Sequence, residues 1–242
     1  MNSNFSQVLS LIVPPLCLAC QTVIPLGEQE NLCVECRKKI LPWEKSICRC
    51  CGDALNNPEI ENSLCGDCLQ DPSAFEWARS VFQLSPELSK IVHSFKYAGE
   101  ESALPWMTSQ MQDYLEKNFP GIKFDYIIPV PLHWWRLLRR GYNQSLLLAK
   151  ALAKKRNEKL DFDSLVKTKA SKAQSSLSKT ERLKQLKMAF RLKSPEKFKD
   201  KTILLVDDVY TTGSTLQECA KVLKQADAEV FAFTLARTVL KF

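Results

Sequence analysis

The unbroken apolar run Ile203, Leu204, Leu205 and Val206 predicts a central strand buried on both faces, expected to end at Asp207. Gly213 then frees the backbone for a tight turn, and from Ser214 the apolar residues Leu216, Ala220 and Leu223 return at helical spacing. Upstream, Asp125 to Pro131 reads as a second buried strand, punctuated by prolines that cannot extend a ladder. A loop is expected after it, and Leu146 to Ala153 restore helical periodicity. Strands are predicted over Trp77–Leu84, within residues 163–170 at Leu165-Val166-Lys167, and over Glu229–Ala236, with helices from Pro86 to about Phe95, from Trp106 to near Gly121, and over Arg182–Ala189. His93 is expected as a partly buried helix residue. Strand and helix alternate, so the body of the chain is α/β with a parallel sheet and ligands at the strands' carboxyl ends.

The N-terminal third follows another logic. Cys17-x-x-Cys20, Cys33-x-x-Cys36, Cys48-x-x-Cys51 and Cys65-x-x-Cys68 place eight of ten cysteines in repeated pairs. Beside a parallel-sheet pattern, that spacing argues for metal binding in a reducing cytoplasm rather than a disulfide framework. Two four-thiolate sets satisfy two structural Zn2+ ions and leave no open position for catalysis. Pairing in chain order is preferred over an interleaved cross-brace. The stretch is poor in large apolar residues, so metal binding supplies its folding free energy. This gives a domain of residues 1–72, a linker near Asp71–Phe75, and a second domain of residues 73–242. Phe5 to Leu16 lacks a basic start and a cleavage site and is too short to span a bilayer; Phe5, Val8, Leu9 and Ile12 fit one face of a short docked helix.

Charge divides the chain along the same line. Residues 1–76 carry five Lys/Arg against ten Asp/Glu, and the rest carry 29 against 17, so the net +7 is −5 and +12. The acidic head disfavours a nucleic-acid role for the zinc module and suits partner docking or substrate gating. Residues 136–201 hold 20 basic and six acidic residues, a field suited to a polyanion.

Candidate chemistry gathers where the buried strand ends. Asp207 and Asp208 stand before Thr211, Thr212, Gly213, Ser214 and Thr215, and the loop feeds a helix N-terminus. Vicinal ribose hydroxyls suit the acid pair, and unpaired helix amides suit a 5'-phosphate. No G-x-x-x-x-G-K-[ST] occurs, which excludes a P-loop NTPase.

Val-Asp-Asp-Val-Tyr-Thr-Thr-Gly-Ser-Thr resembles the phosphoribosyl-diphosphate (PRPP) loop of type I phosphoribosyltransferases. With the cysteine pairs and Pro131-Leu132 through Arg136, Arg140, Gly141, Asn143 and Gln144, the whole chain resembles the ComF family, associated with uptake or use of external DNA. The resemblance implies a type I phosphoribosyltransferase fold behind a double zinc ribbon, PRPP as ligand and Mg2+ bound with it. It places the diphosphate on Arg136 and Arg140, whose guanidinium forks match its oxygens. Phe95-Lys96-Tyr97-Ala98-Gly99 is similar to the family's F-K-Y-x-G, with Lys96 a further diphosphate contact or a solvated lysine. Gln174, Leu177 and Arg182 match a flexible loop that closes over PRPP, although Gln185 stands where asparagine is usual. As an enzyme, the protein would substitute at the ribose anomeric carbon, with the acceptor base left open. The alternative is a non-catalytic adaptor in which Trp134, Trp135 and Tyr142, interleaved with Arg136, Arg139 and Arg140, stack single-stranded DNA. DNA-uptake proteins are the expected protein partners.

Overall fold

The computed structural model describes residues 15–25, 31–43, 46–55, 63–97, 101–168 and 189–238. The expected N-terminal helix on Phe5–Ile12, Gly99, and the loop residues Gln174, Leu177, Arg182 and Gln185 lie outside them, as does the predicted Arg182–Ala189 helix apart from its last residue.

The body is built on five parallel strands. These are β1 (Trp77–Gln83), β2 (Tyr126–Pro129), β3 (Lys159–Leu160), β6 (Thr202–Tyr210) and β7 (Glu229–Arg237), in the order β1-β7-β6-β2-β3. The apolar run in β6 is buried on both faces because alternate residues enter two cores. Leu204 and Val206 face α4 (Leu104–Asn118) and α6 (Gln144–Arg156) through Met107, Met111, Leu148 and Leu152. Ile203 and Leu205 face α7 (Ser214–Lys224) through Leu216, Ala220 and Leu223. Each such leucine or isoleucine contributes about 1.5–3 kcal/mol of transfer free energy, which anchors the sheet's centre.

Four expectations change. The strand carrying the acid pair does not stop at Asp207, because β7 runs on to Arg237 and keeps pairing with it, Val209 against Ala236 and Tyr210 against Arg237. The stretch after β2 is not simply a loop. Trp134–Arg140 forms a short helix, α5, started by His133, whose Nδ1 accepts from the Trp135 amide, and ended by Gly141 at φ +82°. The strand predicted at Leu165–Lys167 forms as β4, but instead of joining the parallel sheet it pairs antiparallel with β5 (Phe190–Leu192) in a separate two-stranded sheet. His93, on α3 (Pro86–Tyr97), is exposed and rests on Tyr97, with ring centroids 4.7 Å apart.

The cysteine-rich segment includes two short helices, α1 (Val34–Lys39) and α2 (Gly66–Gln70). It covers the otherwise open edge of β1. Trp43 N donates to Val81 O at 2.9 Å, Gln83 N to Leu41 O at 3.0 Å and Ala78 N to Cys50 O at 2.7 Å. An exposed edge strand is a template for aggregation, so the module closes a liability of the sheet.

Candidate functional site

Two groups of thiols come together in chain order, Cys17, Cys20, Cys33 and Cys36 in one and Cys48, Cys51, Cys65 and Cys68 in the other. All sulfurs within a group lie within 4.8 Å of one another. Cys20 and Cys33 are 3.7 Å apart and Cys51 and Cys65 are 3.5 Å apart. A tetrahedral zinc with Zn–S bonds of about 2.3 Å has sulfur–sulfur edges of about 3.8 Å, whereas a disulfide is about 2.05 Å. Each group also receives a backbone amide on sulfur, Cys33 N on Cys17 and Cys65 N on Cys48, which closes each knuckle onto its neighbour. Both sites fit structural Zn2+.

The second site is a cavity of about 240 Å³ at the carboxyl ends of β2 and β6. Asp207, Asp208, Thr211, Gly213 and Thr215 line it from β6 and the bend. Facing them are Lys96 from α3, Arg136 and Arg140 from α5, and Gln144 from α6. Thr212 and Ser214 do not line it, and their hydroxyl groups bond each other at 2.9 Å.

The acid pair is held asymmetrically. Asp207 Oδ1 accepts from Ser145 Oγ at 2.6 Å and from the Asp208 amide at 2.9 Å. Burial, and next the neighbouring Asp208 carboxylate, push its acid up to about 7. Asp208 Oδ1 accepts from the Val209 amide at 2.7 Å. Its Oδ2 is buried 2.6 Å from Lys96 Nζ, off the direction of a hydrogen bond, so it has charge compensation but no directed donor. A carboxylate oxygen in that condition suits a hard cation or a ribose hydroxyl.

The bend is open. Among the described residues, the amides of Thr211, Thr212 and Gly213 donate to no protein acceptor, and Ser214 N meets only Thr212 Oγ1 at 3.5 Å. Gly213 sits at φ +71°, where an added Cβ would fall 2.0 Å from Tyr210 Oη. Only glycine fits there.

The cations differ in what they have left to give. Arg140 donates to Gln144 Oε1 at 3.0 Å and to Tyr97 Oη at 2.8 Å, with its guanidinium 4.7 Å from the Tyr97 ring centroid. Arg136 is exposed and, among the described residues, makes no side-chain hydrogen bond or ion pair with protein. The Gly141–Gln144 motif anchors rather than binds. Tyr142 Oη donates to Phe95 O, Gln144 Nε2 to Lys96 O at 3.2 Å and Asn143 Nδ2 to Val130 O at 3.1 Å, which fastens α3 and the end of β2 to α6.

Ser145 and Lys167 are among the lining residues that sequence pattern does not single out. Ser145 lies in the first turn of α6 and resembles any polar N-terminal residue until its hydroxyl is seen on Asp207. Lys167 ends the three-residue strand β4 with its ammonium 5.1 Å from the Phe190 ring centroid. Burial, and next the Arg136 charge, hold its ammonium below the usual lysine range. A cation closing a short apolar strand was the available signal.

A model described as a double zinc ribbon domain matches residues 8–69, and one described as a phosphoribosyl transferase domain matches residues 142–238. Among solved structures, adenine phosphoribosyltransferase of Saccharomyces cerevisiae aligns with 55% of this chain and 69% of its own at 18% identity and a TM-score of 0.37. The DNA utilization protein YhgH of Escherichia coli O6:H1 is 33% identical over 233 residues, 95% of this chain and 100% of that one. The chain belongs to the ComF family. Competence protein ComFC of Bacillus subtilis is 30% identical over 221 residues, 88% of this chain and 87% of its own. This ComF-family chain combines a phosphoribosyltransferase domain with two zinc sites, and among the described residues no helix is long and apolar enough to cross a membrane.

Proposed function

We propose that this ComF-family protein binds PRPP with Mg2+ at the β2–β6 cavity and serves DNA uptake or utilisation, the role in the names of its relatives. One observation carries the reading. The acid pair, a bend with open amides and the cations Lys96, Arg136 and Lys167 converge on one cavity large enough for a sugar phosphate. Asp207 and Asp208 accept from the ribose hydroxyls, and the open amides of Thr211 and Gly213 with the Thr215 hydroxyl hold the 5'-phosphate. Arg136 takes the diphosphate with Arg140 and Lys96 beside it, and Gln174 and Arg182 close over the ligand. Magnesium, when bound, neutralises diphosphate charge that the protein's own cations leave uncompensated. The zinc module, with its boundary near residue 72, covers the β1 edge and docks partners. Eight reduced thiols fit a cytoplasmic setting.

Titration calorimetry of PRPP and magnesium into wild type and into the Asp207→Asn/Asp208→Asn double variant tests this. Wild type gives one saturable site per chain and the double variant gives none. An absence of heat in wild type would remove PRPP as the ligand.

A second reading has its own observation. Trp134 and Trp135 are 59% and 63% exposed on α5, with rings 5.3 Å apart, beside Arg136 and Arg139. Base stacking contributes about 1–3 kcal/mol per base, so these side chains would serve a single-stranded DNA track next to the cavity. The Tyr142 hydroxyl donates to Phe95 O.

A further inference from the structure

The second four-cysteine site and the phosphate bend lie at the two ends of one buried stack of side chains. Arg237, 2% exposed near the end of β7, donates from Nη2 to the carbonyl of Cys51, a thiol of that site. Its Nη1 stands 3.8 Å from Asp53 Oδ1. On its other side the guanidinium carbon lies 3.6 Å from the Tyr210 ring centroid. The hydroxyl end of Tyr210 presses against Gly213, with no room for a Cβ between them.

The chain on either side of this stack is also held. Cys48 N donates to Asp53 O at 2.7 Å and Gly52 N to Cys48 O at 3.0 Å, so the knuckle that presents Cys51 O is a closed turn. Gly52 has φ +73°, and a Cβ there would fall 2.3 Å from Ala78 O, which seats the knuckle directly on β1. At the other end Thr238 N donates to Tyr210 O at 3.0 Å and Thr238 Oγ1 to Thr211 O at 3.3 Å, so the residue after Arg237 grips the bend. Cys48, Cys51 and Cys68 share a core with Tyr210 and Leu216, whereas Cys17 and Cys36 belong to the core on the other face of the sheet.

Building on the phosphate-binding reading of the bend, we infer that Tyr210 and Arg237 are positioning residues through which zinc in the Cys48–Cys68 site and a phosphate-bearing ligand at the bend favour one another. Zinc fixes the knuckle, the knuckle carbonyl fixes Arg237, and Arg237 fixes the ring on which Gly213 rests. Loss of that zinc frees Cys51 O to move, and the bend loses the support that holds its backbone beside the cavity. The coupling in affinity is reciprocal, so bound ligand tightens the same zinc, and slower release reports that tightening.

The test follows zinc release from the full-length, zinc-loaded protein with a chromogenic chelator, with and without saturating PRPP and magnesium. In wild type, ligand slows release of one of the two zinc ions by about fivefold or more and leaves the other unchanged, the lower range of measured coupling between sites. Tyr210→Leu removes the ring and abolishes the ligand effect while still holding two zinc ions. If that variant does not fold, Arg237→Lys, which keeps the charge and loses the fork, supplies the same comparison. Equal slowing of both ions, no slowing in a wild type that binds PRPP, or slowing that survives in the variant overturns the inference. If wild type binds no PRPP, the reading of the cavity fails by itself. The coupling is then read without ligand, where either variant must release one zinc severalfold faster than wild type, and equal rates overturn it.

Discussion

Replacing Gly213 with alanine isolates what the bend requires of its backbone. Two costs apply. The left-handed conformation, φ +71°, costs an L-residue about 1–2 kcal/mol. The new methyl would also fall 2.0 Å from Tyr210 Oη and 2.3 Å from its Cζ. That ring cannot swing aside cheaply, because Tyr210 is buried and its face lies on the Arg237 guanidinium. Overpacking of this kind costs about 1–3 kcal/mol more, so Gly213→Ala should lose roughly 2–5 kcal/mol. Gly121 supplies the control. It has φ +83° and nothing within 4 Å of an added methyl, so Gly121→Ala should lose only the conformational part, about 1–2 kcal/mol. Urea unfolding of the two variants side by side measures the difference, with a midpoint drop of roughly 1–2 M expected for Gly213→Ala at ordinary slopes. Equal losses in the two variants would show that Tyr210 does not confine the bend, and the steric reasoning would be wrong.

Asp207 and Lys167 provide the other two tests. Asp207 is protonated more readily folded than unfolded, its acid raised from 3.8 to about 7 by burial and the Asp208 charge. Between those values the native state holds the extra proton, so the unliganded protein should lose about 1–3 kcal/mol of stability as pH rises from 4 to 7, and Asp207→Asn should flatten that slope in urea unfolding. If the carboxylate form is the one that binds ribose, PRPP affinity should rise over the same window, with a proton released on binding that calorimetry in buffers of different ionisation enthalpy detects. Lys167 is a half-buried cation disfavoured by burial and by Arg136. Lys167→Ala should therefore leave stability unchanged or higher and weaken PRPP binding about tenfold, roughly 1.4 kcal/mol, by calorimetry; unchanged affinity would exclude Lys167 from the site.

Sequence pattern was most informative where one residue type decides the outcome. Cysteine spacing specified both thiol groups, and the chain-order pairing follows because each knuckle closes on its own neighbour, as Cys33 N does on Cys17 and Cys65 N on Cys48. The apolar run 203–206 specified the central strand because both faces of that strand are buried. Pattern was weakest where long-range pairing or a single local bond decides. The extension of β6 to Tyr210 depends on a strand that begins at Glu229, and α5 depends on His133 acting as its cap, neither of which leaves a periodic trace. Tyr210 and Arg237 were invisible as a pair because their contact, 27 residues apart in the chain, exists only once the two strands lie side by side.

The prolines at the end of β2 do more than terminate a strand. Pro129 pairs with Val206, and Val130 N donates its bond to Val206 O at 2.9 Å, which is the last rung on that side of β6. From Asp207 onward β6 keeps its β7 partner and has lost its β2 partner, so a notch opens beside it at the place where the two carboxylates stand. Successive residues of a strand point to opposite faces, yet here Asp207 reaches Ser145 on α6 and Asp208 reaches Lys96 on α3 while both line one cavity. A β2 extended by two residues would fill the notch and pair away the edge that exposes them. The acid pair is therefore a binding feature only because its neighbour strand is cut short, and the Pro129-Val130-Pro131 sequence is as much part of the site as the carboxylates themselves.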